Sequence, residues 1–185
     1  MRRNLKKKEI LFWKNKYNNE EDIYDKTCEK ELRIKIQKNK FLTKKDLIKI
    51  VKWKFPEGSK TFSRQLIILP LLQPINDAHI RKITYCVFKI NDDRLRLKLL
   101  CCIDGVGNAI ASTILSFYNP KKYGILDIHS WRELFGKEPK DVFSNTKHTM
   151  KFFQKLREIS SETQLSCRDI EKALFKKNKD ESTIA

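Results

Sequence analysis

The stretch LLCCIDGVGNAIASTILSFYNPKKYGILDIHS, residues Leu99–Ser130, decides how the rest of the chain is read. It holds three of the five glycines, Gly105, Gly107 and Gly124, and it ends on a carboxylate, Asp127, two residues before His129. Leu100 and Ile103 close one apolar helical face, and Ala111 and Ile114 open the next. Between them Gly105-Val106-Gly107 has the form of a tight reversal, because glycine reaches positive φ without a Cβ clash. Small Ala111 and Ser112 allow the two helices to approach closely. The second helix then begins with unpaired backbone N–H groups, which suit an anion such as a phosphate oxygen.

Helical signals continue on both sides. Apolar residues recur at three-to-four spacing over Leu5–Tyr17 and Glu20–Lys40. Thr43 and Asp46 form a capping box ahead of Leu47, Ile48, Ile50 and Val51. The run TFSRQLIILPLLQP fits helix or strand, and its helical neighbours favour helix. Asn76 caps a helix with Ile80, Ile83, Val87 and Ile90 on one face. Further helices are expected at Asn108–Tyr118, at Ile125–Phe135, from Ser144 to Ile159, and after the Ser166/Asp169 box. No segment alternates with period two. The expected class is all-α, with about nine short helices and no internal repeat.

The 185 residues suffice for one domain or two small lobes around a shared core. A basic N-terminal helical segment is expected over residues 1–42, and the main domain over 43–185. Within the latter, the hairpin spans 95–118, and a loop and helix bearing Asp127 span 119–135. The longest apolar run, Leu66–Leu72, is too short to cross a bilayer, so no membrane partner is expected. No signal peptide is expected, since MRRNLKKKEILFWKNKY turns basic where an apolar core should continue. Five cysteines without CxxC or zinc spacing fit a reduced compartment and no metal site. Cys101 and Cys102, in an apolar run, read as buried thiols.

The net charge is +17, from 40 Lys+Arg against 23 Asp+Glu, and residues 1–54 alone carry 18 basic and 8 acidic side chains. Such a chain suits a polyanionic partner, nucleic acid first. A lysine, asparagine and isoleucine bias is the alternative source of the charge.

IDGVGNAIASTIL…YGILDIHSWREL resembles the helix-hairpin-helix (HhH-GPD) DNA glycosylase superfamily. That family joins a backbone-gripping hairpin to a Gly/Pro-containing loop and an essential aspartate. Gly105 and Asp127 stand 22 residues apart, as in the endonuclease III and adenine mismatch glycosylase branches. Asn119-Pro120 and Gly124 fall in the loop, and LDIHSWREL is similar to the family's Asp-x-His segment. The resemblance covers about residues 95–136 and extends loosely to the helices around them, so it implies a two-lobed helical fold.

The resemblance makes Asp127 the catalytic carboxylate. It would stabilise positive charge on the sugar and orient or deprotonate a water after the base has flipped out. Gly105, Val106, Gly107, Asn108 and Ser112 would lie along the phosphate backbone, with His129 and Arg132 as further contacts. Asp127 should then face a basic cleft with the hairpin at its rim. Each residue has a plainer reading: Asp127 as an N-cap, His129 as a half-buried histidine, Arg132 as one half of a surface ion pair. Trp131 reads as core. In KIVKWKF, Trp53 could stack on a base and Lys54 meet phosphate, or Trp53 could fill the core.

Two departures define the branch. Ala109 stands where bifunctional members carry a Schiff-base lysine, so this chain resembles the monofunctional enzymes, which use water. Only Cys167 follows the hairpin, which leaves no four-cysteine iron–sulphur cluster. No cofactor is expected, a monovalent cation at the hairpin being the one exception the resemblance allows. The expected partner is double-stranded DNA, the expected state a monomer, and the expected location the cytoplasm (at the nucleoid) or the nucleus. A non-catalytic, sequence-independent DNA-binding hairpin protein is the rival expectation, and an RNA- or ribosome-associated basic protein is a third.

Overall fold

In the computed structural model, which describes residues 6–184, ten helices and no strand occur among the described residues. They are α1 (Lys7–Glu20), α2 (Ile23–Asn39), α3 (Lys44–Lys54), α4 (Phe62–Leu72), α5 (Asp77–Lys89), α6 (Asp93–Leu100), α7 (Asn108–Tyr118), α8 (Ile128–Phe135), α9 (Thr146–Thr163) and α10 (Cys167–Ile184). The all-α expectation therefore holds.

Short polar side chains set most of the helix starts. Thr43 and Asp46 close the capping box of α3, and the side chains of Asp22, Asn76, Asp92 and Asp127 accept from the first turns of α2, α5, α6 and α8. Each such cap satisfies a donor that the helix itself cannot. The apolar run around Leu66–Leu72 is the helix α4, with Pro70 inside its last turn. Two boundaries differ from expectation. Asn145, not Ser144, caps α9, because its Oδ1 reaches Lys147 N at 3.0 Å. Ile125 and Leu126 lie outside any helix and Asp127 is extended, so α8 starts at Ile128.

α7 is the central element. Every residue from Ile110 to Phe117 is buried, Ser112, Thr113 and Ser116 included. Around it α3 packs on α4 and α5, and α5 on α6. On the other side α10 packs along α1, α8 and α9, while α2 meets α3 and α7. One continuous core runs through both groups. The expected boundary at residue 42 is not marked by a break in packing. α1 lies along α10, and Glu29 of α2 pairs with buried Arg168 of α10 at 2.8 Å.

Cys101 and Cys102 correct the expectation of buried thiols. α6 ends at Leu100, and the turn that follows exposes both side chains while Ile103 takes the core position. None of the described helices is long and apolar enough to cross a membrane.

Candidate functional site

The turn between α6 and α7 is built from short-range hydrogen bonds: Ile103 N donates to Leu100 O at 3.1 Å and Val106 N to Ile103 O at 2.9 Å. Gly105 follows at φ +82°, the left-handed region where a side chain would be strained. A Cβ there would also lie 3.2 Å from Ile68 Cγ2 and 3.3 Å from Ile68 O, so the turn rests directly on α4. Val106 points into the core. Gly107 is exposed, open space surrounds the place of a Cβ, and no side chain caps the first turn of α7. Asn108 is buried and its Oδ1 lies 3.7 Å from Cys101 Sγ. An uncapped helix start beside an exposed glycine has the chemistry to receive an anionic oxygen.

α7 also positions what comes after it. Ser112 is fully buried; its Oγ donates to Ala109 O at 2.8 Å and accepts from Leu126 N at 2.9 Å. The residue before Asp127 is thus hung from the second helix of the hairpin. Arg168 N donates to Pro120 O at 3.0 Å, and buried Tyr123 donates its hydroxyl to Asp93 at 2.5 Å. Gly124 sits so close to α9 and α10 that an added Cβ would lie 2.5 Å from Leu156 Cδ1 and 2.9 Å from Glu171 Cβ. The loop is clamped from three sides.

Asp127 ends that loop. Its Oδ1 accepts from His129 N at 3.0 Å, and its Oδ2 lies 3.0 Å from Nζ of Lys54, the last residue of α3. The two side chains are only 21% and 11% exposed, which makes this a sheltered pair spanning the two helix groups. Burial pushes the carboxyl upward, but the Lys54 charge and the His129 N–H outweigh it and hold it below the ordinary value. Asp127 is therefore an anion at neutral pH, able to orient a water or to stabilise a neighbouring cationic centre.

Behind the pair lies a buried ionic cluster for which the sequence offered no signal. Arg168 is sandwiched between Glu29 and Glu171, and Lys172 reaches Glu21 at 3.2 Å. Burial pushes the Glu171 carboxyl up, whereas Arg168 overrides burial at Glu29 and holds it at about 2. Glu171 also accepts from Ile125 N at 3.4 Å and from Ser130 Oγ at 3.4 Å, so it supports the loop on both sides of Asp127.

The remaining expected residues are dispersed. Trp53 turns inward, its ring edge-on to Phe117 at 5.0 Å and its Nε1 donating to Asp25 O at 3.1 Å. Its indole packs in the core, the second of the two readings the sequence left open for it. The His129 ring is half-buried, with Nδ1 3.0 Å from Asn178 Oδ1 and an edge contact to Phe175. Arg132 forks onto Glu138 through Nε at 2.7 Å and Nη2 at 2.5 Å. Trp131 is core, as expected. The structure thus joins Ser112, Asp127 and Lys54, and leaves Arg132 and Trp53 committed elsewhere. Two surface grooves, of about 430 and about 470 Å³, lie at Glu29–Arg33–Lys172 and at His79–Lys82–Asp104, both away from Asp127. Among the described residues no group of three or more His, Cys, Asp or Glu side chains could hold a metal ion.

Comparison of the chain with protein-family models, with curated proteins and with solved structures returned no match.

Proposed function

We propose that the protein is a monofunctional DNA glycosylase of the helix-hairpin-helix type, which excises an altered or mismatched base from duplex DNA. One observation carries the reading. The hydrogen bond from Leu126 N to Ser112 Oγ ties the ionised Asp127 to the same helix whose uncapped start follows Gly107. A phosphate held at that start and a sugar set against Asp127 would be fixed relative to each other. Cleavage of the N-glycosidic bond builds positive charge on the sugar, which the carboxylate offsets while a water attacks C1′. The net charge of +17 suits the polyanion.

In the second reading the chain binds DNA without chemistry. Its support is that both Asp127 oxygens already have partners, His129 N and Lys54 Nζ, and that neither groove reaches them. Duplexes carrying a panel of damaged or modified bases, treated with alkali after incubation, separate the two. The glycosylase reading expects alkali-labile strand breaks on at least one substrate. It also expects Asp127→Asn to abolish them while DNA binding persists, since asparagine caps a helix about as well as aspartate. No breaks on any substrate at protein excess, with salt-sensitive binding retained, would establish the non-catalytic reading.

A further inference from the structure

Two thiols exposed at the hairpin have no part in the proposed reaction. α6 ends at Leu100, and the turn after it leaves Cys101 and Cys102 at the surface, whereas Cys28 and Cys167 are buried. Cys102 opens into the groove of about 470 Å³ that it shares with His79 and Lys82 of α5, so a small solute reaches it from solvent. Cys101 has an open residue surface but turns its sulphur inward, 3.7 Å from Oδ1 of Asn108, the first residue of α7. Burial pushes that thiol up to about 11, and the neighbouring Cys102 adds to the shift. Cys101 is thus the protonated member of the pair, and Cys102 is the one placed to react first. The backbone at the pair is closed. Cys101 N donates to Leu97 O at 3.0 Å, and Cys102 N to Lys98 O at 3.1 Å and to Leu99 O at 3.2 Å. Adjacent Cα atoms stand about 3.8 Å apart, short of the roughly 4.4–6.8 Å that a disulfide prefers. A bond between the two sulphurs therefore forces the joining peptide to turn, and a strained, exposed disulfide of that kind is readily reduced again.

We propose that Cys101 and Cys102 form a peroxide-sensitive dithiol whose oxidation to a disulfide loosens the α6–α7 turn and weakens its hold on DNA. The effect on DNA rests on the duplex binding that both readings of the function share; the sulphur chemistry does not. The Cys102 thiolate attacks one oxygen of hydrogen peroxide and the O–O bond breaks. The products are a sulfenic acid on Cys102 and a hydroxide, which takes up the proton that Cys102 gave away. The Cys101 sulphur then displaces the sulfenic oxygen, which departs as water with the Cys101 proton. Two thiols are oxidised to one disulfide, and one peroxide is reduced to two waters. Closing the ring draws Cys101 Sγ away from Asn108 and breaks the hydrogen bonds of Cys102 N. α6 then frays immediately before Gly105, and the first residue of α7 loses a partner at the helix start that faces the phosphate.

The test treats the full chain with hydrogen peroxide, blocks the remaining thiols by alkylation and digests with trypsin. The peptide Leu99–Lys121 holds Cys101 and Cys102 and no other cysteine, so its mass reports on the pair alone. Three results are expected: that peptide lighter by two hydrogen atoms and not alkylated, faster amide hydrogen exchange over residues 98–108, and a several-fold loss of duplex affinity by fluorescence anisotropy. Dithiothreitol should reverse all three. Cys102→Ser, at an exposed position, should bind duplex as the reduced wild type does and show none of the responses. A peptide that is alkylated in full, one that stops at a sulfinic acid, or a bridge from either thiol to Cys86 of α5 overturns the proposal. So does a closed ring with unchanged exchange. A closed ring with faster exchange and unchanged duplex affinity overturns the control of DNA binding and leaves the glycosylase reading intact. A closed ring and faster exchange in a protein whose reduced form binds no duplex would instead remove both DNA readings and keep the dithiol switch in the turn.

Discussion

Gly124→Ala tests the packing that aims Asp127. The new methyl would lie 2.5 Å from Leu156 Cδ1, 2.9 Å from Glu171 Cβ and 3.2 Å from Cys167 O, against an ordinary carbon–carbon contact of about 3.5–4.0 Å. None of the three partners can retreat easily. Leu156 is fully buried, Glu171 is tied to Arg168, and the third atom is backbone of α10. Overpacking of this kind costs about 3 kcal/mol, the upper part of its usual range. For a chain of this length that lowers Tm by roughly 6–12 °C. The assay is thermal unfolding followed by circular dichroism, run as a double-mutant cycle with Leu156→Ala. Leu156→Ala alone opens a cavity and costs about 2–5 kcal/mol. It also removes the Cδ1 atom that the new methyl strikes, so the double variant should be more stable than the sum of the two losses predicts. Coupling of about 1 kcal/mol or more is expected for residues in direct contact. Strict additivity, or a Gly124→Ala protein that melts with wild type, would refute the close approach and with it the clamping of the loop.

Gly107→Ala should behave in the opposite way. No atom lies within 4 Å of the added Cβ and φ is −88°, so stability should stay within about 0.5 kcal/mol while duplex affinity, measured by fluorescence anisotropy, falls. Unchanged affinity would place the phosphate contact elsewhere. Arg168→Met strands Glu29 and Glu171 without their shared cation, and should cost about 3–5 kcal/mol in urea unfolding. A loss below about 1 kcal/mol would show that the cluster is hydrated in solution. Glu29 titrates at about 2 in the folded protein against an ordinary 4.5, so the stability it contributes is present above about pH 4.5 and is lost as pH falls toward 2. That difference amounts to about 3 kcal/mol, and Glu29→Gln should flatten the acid limb of a stability–pH curve; an unchanged limb would assign it to other carboxylates.

The all-α class and most helix starts were legible because the information is local. Caps such as Thr43/Asp46, Asn76 and Ser166/Asp169 sit beside the helices they start, and the apolar spacing of α5 and α7 needs no knowledge of the neighbours. The errors have local causes too. Ser144 and Asn145 are both competent caps, and only the turn after Asp141 decides between them. Cys101 and Cys102 follow four apolar-rich helical residues, yet helix termination at Leu100 rotates them outward.

The site divides along the same line. Asp127 was legible because its spacing from the glycine turn and its capping role both lie within one short stretch. Arg168, Glu29 and Glu171 were not, because each looks like one charge among 63 ionised Lys, Arg, Asp and Glu side chains until α2 and α10 meet. Lys54 lies between these cases. Sequence marked it as one of many basic residues with a phosphate to meet, since nothing in KIVKWKF records a partner 73 positions away. Its pairing with Asp127 follows from where α3 ends relative to the start of α8. Moving the last turn of α3 would separate the charges without altering either residue. For that reason a change confined to the Thr43–Asp46 box, at the opposite end of α3 from Lys54, is expected to loosen the Lys54–Asp127 contact before it unfolds the chain. Thr43→Ala, which removes a cap at a cost of about 1 kcal/mol, should therefore shrink the Lys54–Asp127 coupling measured by a double-mutant cycle of Lys54→Met and Asp127→Asn. An unchanged coupling would show that α3 holds Lys54 independently of its cap.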